Sequence, residues 1–333
     1  HKNVLLPSAA SSDLDFSDVK GQSFVKRGLE IAAAGGHNFL LIGPPGSGKS
    51  MLAKRFPSIL PDMTPEEALE TTKIHSIAGT LKTSNGLMTN RPFRSPHHTT
   101  SAPAIVGGGT YPKPGEVTLA HNGVLFLDEL PEFNRDVLEA MRQPLEDHHV
   151  TISRANKTLR FSSRFLLAAS MNPCMCGQYG NVRSSCQCSS TQIQRYRSKI
   201  SGPLLDRIDL HLEVPALVST EMLSNASPAE MSRQIKERTV NARKIQQERF
   251  RETGIYANAH MNHRQIKQYC PLNEESKKLL KMAIDELGLS ARAYDKILKV
   301  SRTIADLAGS EQIQTDHLAE AIQYRSLDRD FFA

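Results

Sequence analysis

The run Phe39-Leu-Leu-Ile-Gly-Pro-Pro-Gly-Ser-Gly-Lys-Ser50 decides how the rest of the chain is read. An apolar strand-like stretch, a glycine-rich turn and the helix-forming stretch Met51 to Phe56 follow one another in the order of a phosphate-binding P-loop. Gly43, Gly46 and Gly48 let backbone N–H groups turn inward around phosphate oxygens, with Pro44, Pro45 and Ser47 completing the turn. The helix that follows adds the positive end of its dipole. Lys49 is placed to reach the outer phosphates, and the Ser50 hydroxyl is placed to ligate Mg2+. A plain glycine turn before a helix does not require this whole pattern.

A second apolar run, Gly123-Val-Leu-Phe-Leu-Asp-Glu129, ends in two adjacent carboxylates. Beside a P-loop, Asp128 is the candidate to hold Mg2+ and Glu129 the candidate to polarise the attacking water. Asn172 follows another β-rich run, Phe165 to Ser170, where its amide can reach a terminal phosphate or the water; a turn residue before Pro173 is its ordinary alternative. Arg207 precedes a further β-rich run and Arg292 opens a helix. Either is open to an ordinary surface role, yet from these positions a neighbouring subunit and a lid can supply cationic charge to phosphoryl transfer.

Around these motifs the chain is organised in two parts. From Phe16 to about Pro215, the β-rich runs Asn38–Ile42, Gly123–Leu127, Arg164–Ser170 and Ile208–Val214 alternate with helical patterns, which predicts an α/β core with a parallel sheet. Between the P-loop and the Gly123 run lies Thr64 to Asn122, too long for a simple crossover and rich in Gly, Pro, His and Thr, which predicts an insertion on exposed loops. Ser227, with Pro228 next and Glu230 three residues on, reads as the capping box of a charged helix running to about Arg251. Asn273 to Leu287 reads as a helix stopped by Gly288. Ser290 caps a helix carrying Ala293, Ile297, Val300 and Ile304 at helical spacing, and Thr315 opens a last short one. The expected division is a linker over residues 1–15, the α/β core over 16–217 and a helical domain over 218–333.

The chain has 333 residues, about two domains at ~150 residues each. That excludes a peptide ligand or a disulfide-stapled module, and no apolar run is long enough to span a bilayer. Lys plus Arg number 41 against 35 Asp plus Glu, and the resulting net charge of +6 leans toward polyanions. No signal peptide opens the sequence, so a cytoplasmic location is expected. Opening on His1, not Met, the chain reads as a piece of a longer protein.

Four of the five cysteines form two close pairs, Cys174-Met-Cys176 and Cys186-Gln-Cys188. In a cytosolic chain such pairs favour a tetrahedral structural Zn2+ over disulfides, with inert or redox thiols as the alternative; the spacing within each pair is tighter than the common two-residue gap. Cys270 is expected to be a buried free thiol. Adjacent residues on a strand point to opposite faces, so His97-His98 is assigned to DNA contact or loop packing and His148-His149 to a solvated turn, neither to a metal. Thr151 to Arg160 reads as a hairpin about the turn Arg154-Ala-Asn-Lys157. Arg154 and Lys157 at its tip suit phosphates, and a solvated surface turn is equally open.

Six stretches together carry a family resemblance: Phe16-Ser-Asp-Val-Lys-Gly-Gln22, Arg91-Pro-Phe-Arg-Ser-Pro-His-His98, Pro112 to Glu129, Asn172-Pro-Cys174, Ser201 to Asp209, and Leu289-Ser-Ala-Arg-Ala-Tyr294. The chain resembles the AAA+ ATPases of the magnesium-chelatase-like group, most closely the ComM (YifB) family of bacterial DNA branch-migration motors, over nearly its whole length. The resemblance implies Lys49 and Ser50 as Walker A, Asp128 and Glu129 as Walker B, Asn172 as sensor 1, Arg207 as a trans-acting arginine finger and Arg292 as sensor 2. ATP and Mg2+ are the implied cofactors, and the thiol arrangement is also shared. The implied assembly is a homo-hexameric ring with nucleotide between subunits, acting on single-stranded and branched DNA and not on a membrane.

Full-length members carry a Lon-protease-like domain before the ATPase. Residues at about 75–120 resemble a helix-2 insert, about 149–165 a hairpin before sensor 1, both pointing into the pore; 173–190 corresponds to the cysteine loop and 218–333 to the helical lid. The family pattern often has Arg where this chain has Lys296. The implied activity is ATP-driven branch migration of recombination intermediates, a helicase-type reaction, in natural transformation. A chelatase-type motor acting through a protein partner, or a protein-remodelling ATPase without nucleic acid, is the alternative.

Overall fold

A strand covered on both faces reads as a near-continuous apolar run, and the central strands of the computed structural model come close to that. The structure describes residues 14–81, 86–108, 113–154, 157–181, 184–216 and 230–325. Its strands are β1 (Phe39–Ile42), β2 (Phe93–Arg94), β3 (Gly107–Gly108), β4 (Lys113–Pro114), β5 (Val124–Leu127), β6 (His149–Arg154), β7 (Lys157–Ser162), β8 (Leu166–Met171) and β9 (Leu210–Glu213). β1, β5 and β8 are buried at every position. β1, β2, β5, β8 and β9 form a five-stranded parallel sheet with helices around it, the α/β class that the alternation predicts. Each predicted strand is present, with ends displaced by no more than two residues.

Two compact units divide the chain: Asp62–Met171 with Lys199–Arg207, and Leu14–Pro61 with Asn172–Ser198 and the chain from Ile208 onward. In the first unit β5 runs between β2 and β8, with Val124 opposite both Phe93 and Leu166. β2 corrects the expectation that Thr64 to Asn122 lies on exposed loops. That stretch opens with the helix Pro65–Ile77, started by a capping box between Thr64 and Glu67, and then gives a strand to the main sheet. Phe93 stacks on Phe126 with ring centroids 6.1 Å apart, an apolar anchor too brief to register as a periodic run. Arg91 fastens the surrounding chain, donating to Glu67 Oε2 at 2.9 Å and to the Asn122 carbonyl at 2.7 Å. Arg94 donates to Glu116 Oε2 at 2.6 Å. β6 and β7 form an antiparallel hairpin of their own, from His149 opposite Ser162 to Arg154 opposite Lys157.

In the second unit β1 pairs with β9 in parallel, and the helix Ser23–Gly35 packs against the helices Ser232–Arg249 and Ala291–Leu307. Helix ends leave carbonyls without intrahelical partners. Here Arg243 donates to the carbonyls of Ala34 and Ala33, each at 3.0 Å, and Gln246 Nε2 donates to Ala34 at 3.1 Å. Asp209 accepts from the Asn38 N–H at 2.9 Å and pairs with Lys296, so the lysine keeps a charge in use at that position. Burial alone raises the Asp209 pKa, but Lys296 and His37 outweigh it and hold the carboxyl well below the usual range.

The helix expected from Ser227 begins instead at Ser232. Its first N–H groups find a distant partner, since the Ser232 N–H donates to Asp15 Oδ1 at 3.1 Å. Ser227, Pro228 and the expected boundary near Val218 lie outside the described residues. Glu274–Leu287 follows its Asn273 cap and Ala291–Leu307 its Ser290 cap. The last helix, Thr315–Gln323, opens at Thr315 as expected, with Gln314 before it at the N-cap position. Ala293, Ile297, Val300 and Ile304 are buried, and so is Cys270, whose thiol burial pushes up to about 12. No described helix is long and apolar enough to cross a membrane.

Candidate functional site

β1 ends in the P-loop turn, where Gly46 and Gly48 take φ of 75° and 93°, conformations that side chains resist. A Cβ at Gly46 would meet nothing within 4 Å, so the cradle opens outward there. The helix Lys49–Arg55 starts at once, with Ser50 half-buried in its first turn. Lys49 is only 9% exposed, and its ammonium donates to the Gly43 carbonyl at 2.7 Å, the Pro44 carbonyl at 2.9 Å and Asn172 Oδ1 at 3.2 Å. Lys49 and Asn172, singled out separately in the sequence, thus meet at one point. The Ser47 hydroxyl is buried without a hydrogen-bond partner among the described residues. An open glycine cradle, an inward ammonium and an orphaned hydroxyl fit a phosphate group. ATP held there by the glycine turn and Lys49 would supply the phosphoryl group, and Mg2+ would neutralise its charge.

In the first unit, Asp128 and Glu129 follow β5 directly. The Ser170 hydroxyl, at the end of β8, donates to Asp128 Oδ1 and accepts the Glu129 N–H at 3.3 Å. Sequence reasoning missed Ser170; its signal is a polar residue closing an otherwise apolar strand. Glu129 sits at φ 54°, a left-handed conformation uncommon outside glycine, and its side chain is 57% exposed. His98 Nδ1 lies 3.6 Å from Glu129 Oε2. The two histidines 97 and 98 are not on a strand, so the expectation of opposite faces fails: the loop after β2 brings their ring centroids within 4.1 Å. His148 closes the helix Arg142–Asp147 and His149 opens β6, both half-buried.

The remaining candidates are each described within their own unit. Arg207 binds Glu146 and the Pro203 carbonyl within the first unit, its side chain 12% exposed. Arg292 is exposed in the first turn of Ala291–Leu307. Arg154 and Lys157 face each other in backbone register on the last rung of the hairpin, while their side chains and the turn residues 155–156 lie outside the described residues.

Cys174, Cys176, Cys186 and Cys188 converge, all four sulfur atoms lying within 4.8 Å of one another. Three of the separations are 3.4, 3.7 and 3.6 Å. Tetrahedral Zn–S bonds of about 2.3 Å put sulfurs roughly 3.8 Å apart, so the donor set fits Zn2+. Backbone N–H groups of Gln178 and Gln187 draw the Cys176 thiol down to about 6. The neighbouring sulfurs push the Cys186 thiol up to about 12 and the Cys188 thiol up as well, so all four ionise together only with a cation to offset their repulsion. Protein purified without chelator is expected to carry about one zinc per chain by elemental analysis, and chelation is expected to lower its melting temperature. Less than about half a zinc per chain counts against a four-ligand structural centre.

The family model for magnesium chelatase, subunit ChlI, matches residues 15–222, and the model for the C-terminal part of that subunit matches residues 229–325. The chain belongs to the magnesium chelatase family. Within it, the chain is similar to Competence protein ComM of Haemophilus influenzae, 49% identical over 96% of this chain and 62% of that protein. It is also similar to the uncharacterized protein YifB of Escherichia coli, 47% identical over 95% of this chain and 61% of that one. A fainter likeness joins 54% of the chain to 22% of the DNA replication licensing factor mcm5 of Dictyostelium discoideum, at 26% identity. The chain thus spans about 62% of the length of its ComM relative. Membership makes it a magnesium-chelatase-like AAA+ protein, a family that implies ATPase chemistry with ATP and Mg2+.

Proposed function

We propose that the chain is the motor portion of a cytoplasmic, hexameric, ATP-driven DNA translocase that moves branch points in recombination intermediates, as in natural transformation. The carrying observation is the β6-β7 hairpin, a sheet of its own whose last rung pairs Arg154 with Lys157. Two cationic residues on one rung suit the phosphates of single-stranded or branched DNA. The net charge of +6 and the likeness to a competence protein support the same reading. In it, Lys49 and Ser50 act on ATP and Mg2+, Asp128 on Mg2+, Glu129 on the attacking water, Asn172 and Arg292 as sensors, Arg207 on a neighbour's nucleotide, and His97 and His98 as minor DNA contacts. The four cysteines hold a structural zinc.

Phosphate contacts make binding fall with salt and carry little sequence preference. Replacing Arg154 and Lys157 together with Ala is therefore expected to leave basal ATPase activity near normal, weaken DNA binding and stop strand movement. A labelled four-way or three-stranded junction incubated with each protein, Mg2+ and ATP reports the movement on one gel. If the wild type, shown to be hexameric, hydrolyses ATP and leaves every junction intact, the chelatase-type or protein-remodelling reading takes its place.

A further inference from the structure

The thiol centre and the P-loop touch. Gly177, between Cys176 and the exposed Tyr179, is buried against the phosphate loop: a Cβ built on it would lie 2.5 Å from Pro45 Cδ and 2.7 Å from Pro45 Cγ. Among the described residues, the next atom beyond its chain neighbours is Asn172 Cγ at 3.8 Å. The pyrrolidine ring of proline is tied to its own backbone and cannot swing aside. Gly177 therefore bears on a ring that is fixed to the P-loop main chain. The cysteine loop holds its place through short local bonds: the Gly177 N–H donates to the Cys174 carbonyl at 3.0 Å and the Tyr179 N–H to Cys174 Sγ at 3.4 Å. Arg197 ties the loop to the following helix, donating to the Pro173 carbonyl at 3.2 Å and lying over the Tyr179 ring at 5.2 Å. The same segment begins with Asn172, which accepts from Lys49. One stretch of chain thus carries the lysine's partner, the buttress on Pro45 and two of the four thiols.

We propose that the four-thiol centre is a clamp on the nucleotide cradle: metal held by Cys174, Cys176, Cys186 and Cys188 fixes Gly177 against Pro45, and occupancy of the centre sets the affinity of the P-loop for nucleotide. This rests on the proposed reading of the thiols as a zinc site and of the loop as an ATP site. In that arrangement the metal does not act on the reaction. It fixes the wall of the cradle before nucleotide arrives, so less ordering is left to binding.

Two glycines of the same loop separate the clamp from ordinary loop stability. Gly177 and Gly180 have φ of 78° and 75°, so alanine strains the backbone alike at each, but a Cβ at Gly180 meets nothing within 4 Å among the described residues. In the full chain loaded with zinc, Gly177→Ala is expected to weaken binding of a fluorescent ATP analogue with Mg2+ about tenfold, through forced overpacking, and Gly180→Ala less than about twofold. Zinc content by elemental analysis and analogue affinity are read on every sample, and on wild type stripped with chelator, where affinity is expected to fall by a similar factor.

Equal weakening by the two glycine variants overturns the clamp. So does stripped protein that keeps its helicity and its full affinity. A wild type that holds no zinc, or binds no nucleotide, sinks instead the reading on which the clamp rests.

Discussion

Lys49→Ala is expected to weaken nucleotide binding by about three orders of magnitude, since the charge-assisted bond to the outer phosphates is lost with the ammonium. The unliganded loop is affected as well, because that ammonium also joins the carbonyls of Gly43 and Pro44 to Asn172. Glu129→Gln is the contrasting case. It keeps the shape and the left-handed backbone of Glu129 and removes the basic oxygen, so binding persists while steady-state hydrolysis falls about 10²- to 10⁴-fold. Equilibrium binding of a fluorescent nucleotide and a phosphate-release assay on the two variants decide the matter. Normal turnover by Glu129→Gln removes that residue from the base role.

Arg207→Ala is expected to bind ATP and to hydrolyse it about 10³-fold more slowly, as loss of an arginine finger does. Arg207 is held by Glu146 and the Pro203 carbonyl within its own unit, so service to a neighbouring subunit requires exchange of these partners for phosphate. Mixing Arg207→Ala with Lys49→Ala protein should restore activity at interfaces where an intact cradle meets an intact finger. No recovery despite proven co-assembly argues for a cis role, or, where Arg207→Ala alone has a lowered melting temperature, for a structural one on Glu146 and the Pro203 carbonyl.

What the sequence made legible follows from the range of the forces involved. β1 and β5 could be read because burial on both faces demands an unbroken apolar run, and the P-loop because its glycines and lysine are contiguous. The hairpin was legible through its turn, and the thiol cluster through chemistry that needs several ligands at once. β2 escaped because two residues show no period, although Phe93 reaches Phe126. The start of the helix at Ser232 escaped because its cap, Asp15, arrives from the other end of the chain. Ser170 and Glu146 escaped for the same reason: each acts on a residue far away in sequence, on Asp128 and on Arg207. His98 was noticed, but its place beside Glu129 depends on a loop path that alternation rules do not describe.

The hydrogen bonds from Arg243 and Gln246 to the end of the Ser23–Gly35 helix bear on how such a protein can be recombined from parts. Family models part the chain between residues 222 and 229, which marks a boundary of descent. It is not a boundary of folding. A polypeptide cut there strands the carbonyls of Ala33 and Ala34 and leaves the buried carboxylate of Asp209 without Lys296, so a graft that exchanges the tail between relatives must transplant the matching donors as a set. Heredity can shuffle the two halves only as fast as those few side chains change together.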